Sequence, residues 1–281
     1  MRIVGLCRFS LLGRGDWRAT RGMSAADFQS VATRRAAALY HPRRIEARLA
    51  TFEHLTLASL KAQTDPDFTF VVLASSHMPE GLQDRLEALC ARVPQVMLRY
   101  FPVMNAETAH DITFEELQIR HRDTLQFRLD DDDCVCADYI ETMRRHAAPL
   151  MATEDIFAAS LTGVMFSVVN RPRPLVYDWP VAFYSAGAAM RHPRRSIFRF
   201  GHYALPRRFP HVIVPRGMAL VTHDGTNDTG PPDEVRRQRR GMTEMSPAAI
   251  RAARERYFPF LTATGRKIAG LAGGPAAADR P

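Results

Sequence analysis

Four consecutive aspartates, Asp130 to Asp133, are the residues of this sequence whose type and spacing most directly imply chemistry. Adjacent carboxylates repel one another and disfavour both helix and strand, so a cation or a specific fold must hold them. Three uses of the row compete. As a calcium loop it has acids at 130 and 132 and Glu141 at the twelfth place, but Cys134 stands fifth and Val135 sixth, where glycine is required. That use is excluded. As the nucleophile of a phosphotransfer or hydrolase enzyme, Asp131 and Asp133 are suitably spaced, but the row lies mid-chain, after several βα units, without the context such a motif needs. As a D-x-D site, Asp130 and Asp132 would hold Mg2+ or Mn2+, hard ions that prefer oxygen ligands and bind diphosphates well. The sequence favours this third use.

The elements that must position the row are readable on both sides of it. Leu125, Phe127 and Leu129 alternate as in a strand, and open α/β sheets bind ligands at the carboxyl ends of their strands. Upstream, an apolar run from Ile3 to Cys7 predicts a first buried strand that empties into a loop with Gly13 and Gly15. These glycines complete neither G-x-G-x-x-G nor a P-loop. Residues 45–60 predict one amphipathic helix through Ile45, Leu49, Phe52, Leu55 and Leu60, and residues 68–73 a strand buried on both faces. That is a βαβ unit and hence a parallel sheet. A helix over 81–92, a strand over 96–101, a helix over 114–123 and, after the row, a helix over 137–148 continue the alternation.

The second half is less regular. Strands are expected within 157–169, at 212–214 and at 219–222, and a last helix begins at Ser246-Pro247. Trp179, Phe183 and Tyr184 precede the small residues Ser185 to Ala189, which suits either a sugar platform or aromatic core. Arg236, Arg237, Arg239 and Arg240 crowd an expected loop, either solvated or a phosphate-contacting lid.

At 281 residues and 46% apolar content the chain can bury a sizeable core, read as one domain over 1–261 with a loose Gly/Ala-rich tail over 262–281. A net charge of +8 implies anionic partners without choosing among them. Cys7, Cys90, Cys134 and Cys136 lack C-x-x-C spacing, which suggests reduced thiols in a cytoplasmic protein. No signal-peptide core is evident and no run approaches the ~20 apolar residues of a membrane span, so any membrane contact is expected to be peripheral. Asn227-Asp228-Thr229 matches a glycosylation acceptor, a chance match in such a protein.

The chain resembles the GT-A glycosyltransferases, and more closely the bacterial rhamnosyltransferase group. The resemblance rests on residues 5–10, on Arg48, Phe52, Ser59-Leu60 and Gln63-Thr64-Asp65, on Arg128 to Asp133 with Asp138-Tyr139-Ile140, and on His223 with Asn227. It spans roughly residues 3 to 230 and implies an α/β fold with a GT-A-like (Rossmann-like) mixed sheet, mostly parallel, flanked by helices. It further implies that Asp130 lies on the ribose side of the D-x-D, that Asp132 binds the metal and that His223 completes its coordination. A hydrogen-bonded structural histidine is the alternative for His223. Arg8, Phe9, Arg128, Asp130 and Asp131 would face the nucleotide sugar, although Arg8 and Arg128 could equally pair with the carboxylates. For the base of an inverting transfer, Asp178 and His202 are candidates by chemistry and position only.

The expected activity is metal-dependent transfer of a sugar, rhamnose by the resemblance, from a nucleotide-diphosphate donor to a glycan or lipid-linked acceptor in surface polysaccharide synthesis. Its place would be the cytoplasm, or the inner face of the membrane. The rivals are a metal-dependent phosphotransfer or hydrolase enzyme using the same row, and a non-catalytic binder of anionic ligands through Arg236–Arg240. Nucleic acid is not an expected partner, because the acidic row opposes it and no recognition motif accompanies the arginines.

Overall fold

The computed structural model describes residues 1–13, 22–215, 217–225, 227 and 231–272. Two sheets meet at the acidic row. The chain runs β1 (Arg2–Arg8), α1 (Ala25–Leu39), α2 (Pro42–Thr51), a π-helical segment (Phe52–Leu57), α3 (Ala58–Lys61), β2 (Thr69–Ser75), α4 (Glu80–Cys90), β3 (Val96–Phe101), α5 (Ala106–Glu116) and β4 (Thr124–Arg128). After the row come β5 (Asp133–Val135), α6 (Tyr139–Thr153), β6 (Phe157–Ser160), β7 (Gly163–Val168), β8 (Leu175–Trp179), β9 (Ala189–Arg191) and α7 (Leu205–Arg208). The chain ends with β10 (His211–Ile213), β11 (Met218–His223), α8 (Glu234–Arg239), β12 (Thr243–Glu244), α9 (Pro247–Tyr257) and α10 (Ala263–Ile268).

The larger sheet has the order β10-β6-β9-β4-β1-β2-β3. All its pairs are parallel except those of β9, which runs antiparallel to both β4 and β6. This is the mostly parallel, helix-flanked mixed sheet that the sequence implied. Central β1 is buried on both faces, and Gly5 is what admits its neighbours. A Cβ there would lie 2.3 Å from the rings of both Phe70 and Phe127, closer than any packed interior allows. The smaller sheet, β12-β8-β7-β11-β5, is mainly antiparallel, with β7 and β11 parallel. The apolar stretch 157–169 is therefore two strands, one in each sheet.

Several expectations require correction. The helix expected over 114–123 starts at Ala106, because the Asn105 side chain caps it by accepting from Thr108 N at 2.8 Å, and it ends at Glu116. The arginine loop is the short helix α8, capped by Asp233, whose carboxylate accepts from Arg236 N at 2.8 Å. The tail placed after 261 is folded as far as Ala272. Thr262 caps α10, and Ala269 and Leu271 are buried beside Leu55, Cys134 and Phe258. Residues 273–281, and Gly15, Arg216, Asp228 and Thr229, lie outside the described residues. The helix α1 was not foreseen.

Candidate active site

The acidic row is the turn that carries the chain from the larger sheet to the smaller one. Leu129 N donates to Leu6 O at 3.1 Å, which keeps the start of the row in step with β1, and Asp133 N donates to Asp130 O at 3.3 Å. Threonine hydroxyls then hold all four carbonyls of the row. Thr51 Oγ1 reaches Asp131 O at 3.2 Å, and Thr56 Oγ1 reaches Asp133 O at 2.8 Å and Asp130 O at 3.3 Å. From β11, Thr222 Oγ1 reaches Asp132 O at 2.8 Å. Just beyond α3, Gln63 donates to Cys136 O at 3.0 Å and accepts from Ile140 N at 3.0 Å. Backbone groups that would be costly to bury unpaired are thereby satisfied, and the turn is fixed at both ends.

Arginine balances the charge of the row within the fold. Arg48 is 7% exposed, and its Nη1 lies 2.9 Å from Asp131 Oδ1 and 2.7 Å from Asp132 Oδ2. Asn227 Nδ2 donates to the same Asp132 oxygen at 2.7 Å. Both of these contacts fall on Oδ2, so the carboxylate is held in one orientation. Arg8 lies 3.8 Å from the less buried Asp130. Burial works against ionisation of Asp130, but Arg8, Arg128 and Arg48 outweigh it and hold its carboxyl below the usual range. For Asp132 burial dominates, opposed by Arg48 but reinforced by Asp131 and Asp130, and its carboxyl is pushed up to about 7. Burial also raises Asp131 and, further, Asp133, which is 3% exposed and accepts from Thr222 N. Neither Asp131, tied to Arg48, nor Asp133, enclosed in the fold, stands as an exposed nucleophile.

The row lines a cavity of about 300 Å3, at the lower end of the size of small-molecule sites. Arg8, Asp130, Asp131, Asp132, His202 and His223 all line it, so the structure brings these expected residues together. His202 is neutral at pH 7. Burial first, and then Arg128, lower its imidazole to about 4, and its buried Nε2 meets no hydrogen-bonding group.

Three expected residues do not line the cavity. Phe9 is fully buried, its ring 5.1 Å from that of Phe52, so it is core and does not face a nucleotide. Asp178 is exposed, because strand alternation turns it away while its neighbours Tyr177 and Trp179 are buried. It does not line the cavity. Arg128 is not part of the lining either. Its guanidinium lies 5.3 Å from the Phe198 ring, on which that of Arg8 also rests at 5.4 Å. Sequence reasoning assigned no role to Thr51, Thr56, Gln63 or Asn227, although Gln63 and Asn227 were among the residues carrying the resemblance. For Thr51, Thr56 and Gln63 the signal was the set of polar residues at 48, 51, 56, 59 and 63 interspersed with the apolar residues of this stretch, and all five are buried. The step of five between Thr51 and Thr56 is the one a π-helix closes.

The donor set suits an ion shared with a ligand. Among the described residues no three His, Cys, Asp or Glu side chains converge to hold an ion by themselves. Asp130 and Asp132 are hard oxygen donors at the cavity wall, and Mg2+ or Mn2+ bound with a diphosphate takes only one or two carboxylates from the protein.

The family described as "Putative rhamnosyl transferase" matches residues 2–236. The chain belongs to this family. No curated protein matches it. Among solved structures it is similar to TarS 1–349 of S. aureus in complex with UDP-GlcNAc, at 11% identity and a TM-score of 0.39 over 91% of this chain and 65% of that one. The same TarS fragment in complex with UDP gives 9% identity and a TM-score of 0.41 over 79% and 61%. The chain thus spans under two thirds of the TarS chains it resembles.

Proposed function

We propose that the protein transfers a sugar, rhamnose by the description of its family, from a nucleoside-diphosphate donor to an acceptor hydroxyl, with Mn2+ or Mg2+ shared between the donor and Asp130 and Asp132. The observation that carries the reading is the projection of these two carboxylates, with Arg8 and His223, into one cavity at the end of β4. A divalent ion bound there would offset the charge that builds on the leaving diphosphate as the glycosidic bond breaks. Arg8 supports the same charge from the end of β1, a contribution that grows toward the transition state. Arg48 and Asn227 hold Asp132 so that its carboxylate meets the ligand already oriented. His202 is the proton acceptor of this reading. His202 lines the cavity, and burial keeps its ring in the neutral form that a proton acceptor needs once bond formation has made that hydroxyl acidic. The acceptor is a glycan or a lipid-linked saccharide, and the pathway is surface polysaccharide synthesis. The free, buried cysteines fit a reducing compartment such as the cytoplasm. Among the described residues no helix is long and apolar enough to cross a membrane, so contact with its inner face would be peripheral.

The test is a thermal-shift panel of UDP, dTDP and GDP with and without Mn2+, because a ligand that binds the folded state raises its apparent stability. Protection by one diphosphate that needs Mn2+ and disappears in Asp132→Ala is the expected result. Equal protection in the presence of a chelator would remove the metal from the proposal, and no protection by any of the three would remove the donor.

A further inference from the structure

The cavity has a second part of its lining that the donor chemistry does not use. Aromatic side chains from the smaller sheet and the segment after it stand in sequence there. Phe166 and Trp179 have ring centroids 6.1 Å apart, Trp179 and Tyr184 5.3 Å, and Tyr184 and His202 5.9 Å. Their planes are inclined to one another by 45° or more, the tilted packing that aromatic rings prefer. Arg240, at the carboxyl end of α8, lies with its guanidinium 5.1 Å from the Trp179 ring centroid and also lines the cavity.

The cations around this cavity are not equivalent. Arg8 faces Asp130, and Arg48 faces Asp131 and Asp132. Arg44 is turned to Ser10 Oγ and Leu39 O. Arg240 meets no carboxylate among the described residues. Stacking on an indole holds a guanidinium in place while leaving its edge donors available, which is a way to receive a carboxylate or phosphate. His202 lines the same wall, its ring 5.9 Å from that of Tyr184.

We propose that Trp179, Tyr184, His202 and Arg240 form the acceptor subsite, and that the acceptor is an anionic carbohydrate whose carboxylate or phosphate is received by Arg240. The inference rests on the sugar-transfer reading and adds to it the class of acceptor. The acidic row makes the subsite selective for orientation. A negatively charged sugar is repelled from Asp130 to Asp133 and attracted at Arg240, so its uncharged hydroxyl end is the one presented to the donor.

The experiment uses intrinsic fluorescence. The chain has two tryptophans, Trp17 and Trp179, so Trp17→Phe leaves Trp179 as the sole reporter. The full-length variant is titrated with D-glucuronate, D-glucose 6-phosphate and D-glucose, each with and without the nucleoside diphosphate that protects in the donor panel. The expected result is a saturable change for at least one anionic sugar, at a concentration about tenfold below that for glucose. Response to glucuronate alone assigns a carboxylate, and response to the 6-phosphate alone a phosphate. Adding Arg240→Gln should erase the advantage over glucose and leave the nucleotide protection unchanged. Equal response to all three sugars, response to none, discrimination that survives Arg240→Gln, or loss of nucleotide protection in that variant would each overturn the proposal. A failed donor panel accompanied by a sugar response would instead discard the nucleotide reading and keep the subsite.

Discussion

In the proposed reaction Asp132 carries two demands that conflict until a ligand arrives. It must be ionised to bind a cation, yet burial and its acidic neighbours push its carboxyl up to about 7 from an ordinary 3.8. A folded-state value above the unfolded one means that the proton is bound more tightly in the folded state. The associated stability is therefore complete below about pH 4 and is lost as pH rises through about 7. Thermal unfolding of the metal-free protein in a chelator should show this loss between about pH 4 and 7. Asp132→Asn, neutral throughout, should match the parent near pH 4 and exceed it by about 1–3 kcal/mol at pH 8. A parent and variant that melt together at pH 8 would show that Arg48 alone cancels the charge. The same variant should still lose Mn2+-dependent nucleotide protection, so stability and binding part in opposite directions. At this scale the sequence displayed the carboxylates but not their partners. Arg48 lies 83 residues from Asp131 along the chain, and no local pattern records a contact closed by the fold. Asp178 shows the converse. It was chosen for its chemistry, while the alternation Tyr177-Asp178-Trp179 already turned it away from the aromatic face.

The element that holds the row is the helical rod from Pro42 to Lys61, and its irregularity is what fits it to the task. In an uninterrupted α-helix Thr51 and Thr56 would sit on different faces. The π-helical segment Phe52–Leu57 brings Thr56 round beneath the row, and both hydroxyls reach its carbonyls. Beyond α3, Gln63 joins Ser59 O, Cys136 O and Ile140 N, tying the rod to the start of α6. Gln63→Leu keeps much of the volume but leaves those buried groups without the amide. It should lower stability by about 2–3 kcal/mol in chemical denaturation and weaken nucleoside-diphosphate protection. A loss of stability with protection intact would mean that the row keeps its shape without the rod. The strands and helices of the first half were legible because they follow simple periods, and their parallel order followed from the βαβ rule. The π segment was not, because its apolar residues still approximate helical spacing. Only the buried polar positions betray the extra residue. Helix α5 was expected too late and α8 as a loop because the caps Asn105 and Asp233 went unrecognised.

The whole molecule depends on chain that lies beyond both the family match and the expected end of the domain. The match stops at residue 236, whereas α9 and α10 follow it and return to the underside of the site. Gly265 in α10 sits so near the π segment that a Cβ would lie 2.9 Å from His54 O. Leu261, Ala269 and Leu271 share a buried cluster with Leu55 of that segment and with Cys134 just after the row. The π segment, the start of β5 and α10 are thus packed together beside the row, which is why a Gly/Ala-rich stretch cannot be judged from composition. Its Thr262 cap and the two apolar residues that follow α10 suffice to dock it. Ending the chain at residue 261 removes α10 together with Ala269 and Leu271. The burial of two such residues and the support under Leu55 should be worth about 3–5 kcal/mol. A chain ending at 272 keeps them and should melt with the full-length protein, whereas a chain ending at 261 should melt well below it and bind the nucleotide weakly or not at all. Equal melting of the two truncated chains would show that the site is complete without its last helix, and would restore the boundary that the sequence suggested.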